Sequence, residues 1–467
     1  MGPVGGAPDL AAGPCGWGAG RRQALIGGLH IARVARPYPP LPTEPITADG
    51  RHVDILSRLA ALFARESKLK ATAPNGFPDP TAHPPPTNTV DAKVADRLLS
   101  GIDSIDWSAL EHAYGPATTT PEYLRALLSP DESVRGEAVE HLWSAITHQG
   151  TVYSATVAAT PFLLRILADD AAMPIRATLL SVLEVIAGGS SYHDVHAEFF
   201  PADERETAEW QERLDRELAD VAGCRREAAA GLDLVLRFVA DPALDVRLQA
   251  TSTAASLSLL PEVSDEARAR VQNALRAVAE HDDSHVVRAS AVLSLSLLGS
   301  DTRRWLAQQS SPIRVAAALS PGLRDDPDAQ AILLDALARP EELDALFPDG
   351  LPQLSGYPRF TVIATVCDRV PDREAALPAL LAALRLASNW TVDVDRAPML
   401  RYFFPPPAQG GTVLSRPQRA FLGALVQRDD LWDPKNGNAM GAFKQVGLPY
   451  SRAGIEEVLR SGRLPPA

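Results

Sequence analysis

The sequence predicts an all-α protein. Its body is expected to be an α-solenoid of stacked helix pairs, preceded by a disordered N-terminal tail and followed by a helical C-terminal extension. Three observations predict this. Hydrophobic residues make up 46 % of the 467 residues but aromatics only 6 %, and the bias toward Ala and Leu favours packed helices over sheets. A Val/Ile–Arg pair followed by small and apolar residues at helical spacing recurs five times. Leucine-rich helical segments precede four of those five.

Taken in order, residues 1–50 are rich in Gly, Pro and Ala without a sustained period, and read as a disordered tail or an upstream extension with no folded role. Within them "GRRQALIGGLHIARVAR" imitates a twin-arginine signal peptide. Its apolar part, Ala24 to Ala32, is short and broken by Gly27, Gly28 and His30, so the expectation is a cytoplasmic chain. Residues 51–71 read as an amphipathic helix with Val53, Ile55, Leu56, Leu59, Leu62 and Phe63 toward one side. Residues 72–89 form a proline-rich linker, stiff and unable to continue a helix. The folded body is expected over 90–345.

The five recurring segments are "SPDESVRGEAVEHL" (129–142), "ADDAAMPIRATLLSVL" (168–183), "ADPALDVRLQATSTAASL" (240–257), "EHDDSHVVRASAVLSL" (280–295) and "SSPIRVAAALS" (310–320). Their arginines, Arg135, Arg176, Arg247, Arg288 and Arg314, recur at about 41 residues, with one longer gap before Arg247 and one shorter gap before Arg314. In each unit helix A buries a Leu stripe and a turn starts helix B. Carboxylates such as Asp131, Asp241 and Asp283 suit the exposed amides and dipole at that start. The apolar residue before each Arg enters the core, and the Arg can reach acids of a neighbouring turn. One pair cannot bury both apolar faces, so pairs stack.

The long gap implies an insertion near 188–222, loop-like in its first half and a charged helix in its second, leading into Cys224. Beyond 340 the repeat fades. Segments 360–387 and 416–428 still read as helices, and two more end the chain, the last capped by Ser451. Residues 346–467 are expected to close the solenoid.

The D-x-x-x-x-V-R-x-x-A-x-x-x-L pattern, met best by Asp241 to Ala250 and by segments 129–142 and 280–295, resembles the HEAT repeat in the version shared with bacterial phycobilisome-lyase-like proteins. The likeness covers roughly residues 118–340 on repeat logic. The "HQGTVY" and "CRREAAAGLDLVLRFVADP" segments are also similar to an actinobacterial group of HEAT-repeat proteins. The resemblance implies architecture more than activity. It admits partner-binding scaffolds, among them immunity proteins that block a secreted toxin. It also admits enzymes, namely bilin-lyase-like proteins and HEAT-like proteins that excise alkylated bases from DNA.

A formal charge of −13 disfavours nucleic acid as a partner. Cys15, Cys224 and Cys367 form no CxxC pair or zinc spacing and read as reduced thiols. No apolar run approaches the roughly 20 residues of a membrane span. No G-x-S-x-G, P-loop or dinucleotide fingerprint appears, and no cofactor is expected.

The connector "HQGTVY" concentrates hydrogen-bonding groups: His148, Gln149, Thr151 and Tyr153, with Gly150 permitting positive φ. It reads either as a recognition or catalytic loop or as a helix junction. In the second reading Gly150 ends helix B, His148 or Gln149 satisfies its last carbonyls, and Thr160–Pro161 start the next helix. "YHDVHAEFF" sets His193, Asp194, His196 and Glu198 close together, but HxxH lacks a third ligand and a polar loop carrying Phe199 and Phe200 is the simpler reading, so no metal is assigned. His281 to His285 read as capping residues. Asp393 and Asp395 read as a surface loop beside Trp390, and "LWDPKNGNAMG" as a turn. The favoured function is a protein-interaction scaffold lined by helix B residues, with an enzyme on the same frame as the rival. Trp143 and Trp210 are the aromatics to inspect for the latter.

Overall fold

The computed structural model describes residues 83–85, 90–197, 200–348, 350–354, 356–405 and 411–465. The expected tail (1–50) and amphipathic helix (51–71) lie outside the described residues, as does the linker apart from His83 to Pro85.

The described chain is mostly helical. Helix α1 (Ala92–Leu98) starts where the Asp91 carboxylate accepts the Lys93 N–H at 2.8 Å. A two-residue antiparallel hairpin follows, β1 (Glu111–His112) with β2 (Gly115–Pro116), an addition to the expected all-α plan. Gly115, at φ 117°, makes its tight reversal possible.

The helix pairs then follow in order. Helix α2 (Thr120–Ala126) pairs with α3 (Glu132–His141), and α4 (Ser154–Leu167) with α5 (Arg176–Ala187). The insertion forms α6 (Tyr192–Val195), α7 (Ala202–Arg205) and α8 (Ala208–Ala230). Its first half is therefore partly helical rather than a loop. The charged helix runs unbroken through Cys224, because nothing before Gly231 interrupts its helical spacing. Helix α9 (Leu232–Arg237) pairs with α10 (Leu244–Ser258), and α11 (Asp265–His281) with α12 (His285–Leu297). A single 3₁₀ turn, Arg303–Trp305, pairs with α13 (Ser311–Ala318). Helices α5, α10, α12 and α13 pack side by side in one row.

The residue before each arginine behaves as its pattern demands. Ile175, Val246, Val287 and Ile313 are buried, and Val134 is half-buried. Arg176 reaches Asp241 of the next turn at 3.5 Å, and Arg247 reaches Asp282 of the one after at 2.9 Å. Arg135 and Arg288 instead donate to the carbonyls of Ser129 and Ala279, each at 2.8 Å, closing the preceding helix. Arg314 is half-buried in α13.

Asp131 accepts the Ser133 N–H at 2.8 Å, as expected of an N-cap. Asp241 sits two residues before the N-cap Ala243 and accepts the Ala243 N–H at 2.9 Å, with Pro242 between them. At the fourth turn Asp283 is not the capping residue. Ser284 occupies the N-cap and accepts from the Val287 N–H, while Asp282 accepts the Ser284 N–H at 2.8 Å. The extended backbone at Ser284 puts that hydroxyl, and not the exposed Asp283, beside the amides.

Beyond residue 340 the Val–Arg signature is gone but helices continue: α14 (Pro327–Leu337), α15 (Pro340–Ala345), α16 (Pro358–Arg369), α17 (Arg373–Leu384), α18 (Arg396–Phe403), α19 (Arg416–Val426), α20 (Gly437–Gln445) and α21 (Arg452–Ser461). Alternate members touch: α14 with α16, α16 with α18 and α18 with α20, and separately α17 with α19 and α19 with α21. The residues read as a turn at 436–441 open α20, with Asn436 as its cap, and Ser451 caps α21 as expected. One apolar core runs from Leu98 to Leu464.

Candidate functional site

The connector between α3 and α4 begins where α3 loosens into a π turn, Leu142–Ile146. Thr147 ends it, its N–H and hydroxyl both donating to the Leu142 carbonyl, at 3.0 and 2.9 Å. His148 Nδ1–H donates to the Ser144 carbonyl at 2.8 Å, so the imidazole closes the helix as the junction reading requires. Its ring meets Tyr114 edge-on, with centroids 5.6 Å apart. The chain then reverses through two left-handed residues, Gln149 at φ 51° and Gly150 at φ 84°. Thr151 Oγ1 lies 2.7 Å from the His148 carbonyl and 2.6 Å from the Tyr153 hydroxyl. Thr156 Oγ1 accepts the Tyr153 N–H at 2.9 Å and donates to the Ile146 carbonyl at 2.6 Å. Burial pushes the Tyr153 phenol up to about 12.

Two details depart from expectation. Helix α3 gives way at Thr147 rather than Gly150. Helix α4 starts at Ser154, with Pro161 in its interior, because Thr156 already ties the connector to the helix start. Of the four candidate binding residues only Gln149 is exposed. His148 and Tyr153 are half-buried and Thr151 is buried.

The insertion closes over this connector. Val152 N–H donates to the Ser190 carbonyl at 3.1 Å and Ser190 N–H to the Gly150 carbonyl at 3.0 Å, a short parallel bridge. Gly189 makes the approach possible, since a Cβ there would lie 2.4 Å from a Val152 methyl. Glu217 of α8 then holds the insertion's first turn, accepting from Ser191 Oγ at 2.6 Å, His193 N–H at 2.9 Å and His193 Nδ1 at 2.6 Å. The His193 ring packs against Phe200 at 5.5 Å and edge-on to Trp210 at 4.7 Å. His196 Nδ1 turns away to its own helix, on the Tyr192 carbonyl at 2.9 Å. Glu198 and Phe199 lie outside the described residues. Among the described residues no three His, Cys, Asp or Glu side chains gather to hold a metal ion. Asp220 lies on the same helix, its carboxyl raised to about 6 by burial and then by Glu217 and Glu111.

No family model, curated protein or solved structure matches this chain. Its chemistry therefore has to be read from its own side chains.

Sequence reasoning missed a polar seam inside the helix row. Glu184 of α5, buried, accepts from Gln249 Nε2 at 2.7 Å, Ser252 Oγ at 2.8 Å and Ser256 Oγ at 2.7 Å, all on α10. Between α10 and α12, Thr251 and Ser290 hydroxyls lie 2.6 Å apart, and Ser294 Oγ donates to the Thr251 carbonyl at 3.0 Å. Gln353 lies over the same place, its Nε2 donating to Ser290 Oγ at 2.7 Å and Ser294 Oγ at 2.9 Å. The visible signal was Ser252 with Ser256 and Ser290 with Ser294, each four apart and so on one helix face. The seam leaves the row little surface: α10 exposes only Leu244 and Asp245, and α12 only His285.

Three further features were not expected. His141 is fully buried, stacked on Tyr123 at 4.1 Å with Nε2 3.1 Å from Thr120 Oγ1, and burial, then His112, lowers its pKa to about 3. Asp395 is buried, not on a surface loop. Thr391 donates to it at 2.5 Å, Arg396 Nε lies 3.6 Å away, and burial raises its carboxyl to about 6. Arg396 is itself buried, donating to the carbonyls of Leu431 at 3.1 Å and Ser388 at 2.9 Å. Burial raises both thiols, that of Cys224 in the core and that of the half-buried Cys367.

Proposed function

We propose that the chain is a HEAT-type α-solenoid scaffold that binds a protein partner. Stacked A and B helices, the Arg176–Asp241 and Arg247–Asp282 links between successive units, and alternate-helix packing to the C-terminus support the architecture. The carrying observation for binding is the insertion. Its start is tied to the connector by Ser190 and its first turn to its own helix α8 by Glu217, and it holds Tyr192, Val195 and Leu218 39 %, 39 % and 45 % exposed. Large apolar side chains held in solvent on a braced element are what an interface supplies before its partner arrives. Because α10 and α12 expose only Leu244, Asp245 and His285, the partner surface lies on the insertion, the A helices and the connecting turns rather than on that row.

The test is affinity capture from host lysate with the full chain and with Leu218→Asp and Tyr192→Ala. The expected outcome is a partner retained by the wild type and lost by the variants at unchanged melting temperature. A partner set identical between wild type and variants removes the insertion from the interface.

A further inference from the structure

At the turns joining α14, α16, α17 and α18 the molecule has a cavity of 690 Å³ walled by Arg324, Arg369, Arg373 and Arg401 against only two carboxylates, Asp325 and Asp368. This is a local excess of positive charge on a chain of net charge −13. The arginines are not equivalent. Arg324 is used by Asp368, with Nη2 2.8 Å from Oδ1. Arg369 is used by the carbonyls of Ala318, Leu319 and Ser320 at 2.9 to 3.1 Å. Arg373 donates Nε–H to the Tyr402 carbonyl at 2.8 Å, which pins the guanidinium to the wall while its terminal amino groups have no hydrogen bond among the described residues. Arg401, exposed on the last turn of α18, has no hydrogen bond or ion pair among them. The nearby Asp372 carboxylate is occupied, capping α17 on the N–H groups of Glu374 and Ala375. A second cavity of 420 Å³, which shares Arg324 and Asp325, extends the cleft toward Arg303, whose guanidinium is there paired with Asp326.

We propose that this cleft docks an acidic segment of a protein partner, with side-chain carboxylates against Arg373 and Arg401. Guanidinium forks suit carboxylates, and Tyr402 and Val370 give apolar wall for the methylenes of glutamate. The choice of a chain over a free anion rests on the two cavities adjoining, which makes a trough longer than one carboxylate or phosphate needs, and on the reading of the protein as a scaffold.

The experiment is fluorescence anisotropy of the full chain with a labelled oligoglutamate peptide, an oligolysine peptide as control and inorganic phosphate as competitor. Saturable binding of oligoglutamate alone is expected. Arg401→Glu should weaken it at least about tenfold, as charge reversal at a contact does. Arg373→Gln should weaken it less, and Arg237→Glu on α9, outside the cleft, should leave it unchanged. Melting curves check each fold, and Arg401→Gln replaces Arg401→Glu if the latter does not fold. Absent binding, or equal binding by Arg401→Glu or its Arg401→Gln replacement, overturns the proposal. So does full competition by phosphate, which would make the cleft a free-anion site, and so does a concentration-dependent dimer abolished by Arg401→Glu, which would make the occupant a second copy. Unchanged partner capture in the insertion variants with oligoglutamate binding intact would remove the insertion surface only, and lost partner capture in those variants with no oligoglutamate binding would remove the cleft only.

Discussion

Gln149 is the one non-glycine residue in the left-handed region among the described residues, and Gly150 follows it there. Two consecutive residues in the left-handed region bend the chain back toward the insertion, and Gly150 at φ 84° has a conformation that a β-branched side chain resists. Gly150→Val should lower stability by about 1–3 kcal/mol, read as a drop in thermal midpoint. An unchanged midpoint would show that the turn can relax without cost. Asp220 offers a second test through pH. Its carboxyl is raised to about 6 in the folded protein, above its ordinary value of 3.8. The folded state therefore holds its proton longer than the unfolded chain, and stability is lost as pH rises from about 4 through 6. Asp220→Asn should stabilise the protein above pH 6 by about 1 kcal/mol, a figure kept low because the group is partly solvated, and the gain should fade below pH 4. A gain that is equal at all pH values would assign the effect to packing.

Between elements, the informative contacts are polar. Glu184 is a buried carboxylate that accepts from one amide and three hydroxyls of the neighbouring helix, the Thr253 contact being the longest at 3.4 Å. Glu184→Ala would leave Gln249, Ser252 and Ser256 without that acceptor, and should cost about 3 kcal/mol in denaturant unfolding. Glu184→Gln, which keeps an acceptor oxygen, should cost clearly less. If the two variants were equally destabilised, the seam would depend on charge rather than on hydrogen bonding. The Arg176 and Arg247 links do related work at the turns, where each arginine closes its own unit through a carbonyl and reaches the next through a carboxylate. One side chain thus sets both the end of a helix and the register of its neighbour.

At the scale of the whole molecule, the row of α5, α10, α12 and α13 lies mostly in the interior. Seams of serine, threonine and glutamine let α5, α10 and α12 approach closely, and Gln353 covers part of what remains. On the proposed scaffold reading a partner would meet the outer elements, and Leu218→Asp on the insertion and Arg401→Glu at the cleft are the variants that test it. They act on different surfaces, one apolar and one basic. If both contribute, the double variant should lose binding in proportion to the two single losses, as expected of distant sites.

The helix pairs were legible because their signals are local: a Leu stripe, a turn, a buried Val or Ile, then Arg. The same locality made the His148 bond to Ser144, four residues away, a readable alternative. What lay beyond sequence reasoning depended on partners far along the chain. Glu217 meets His193 across 24 residues, Ser252 meets Glu184 across 68, and Arg369 meets the carbonyls that end α13 across about 50. Asp283 looked equivalent to Asp282 in the sequence, yet only the backbone angles at Ser284 decide which carboxylate faces the amides. The order of helices and their turns follows from spacing along one chain. Which acids are buried, which hydroxyls form the seam and where arginines gather follow from packing. Solvation and pairing energies depend on what surrounds a group in space, and not on its neighbours in sequence.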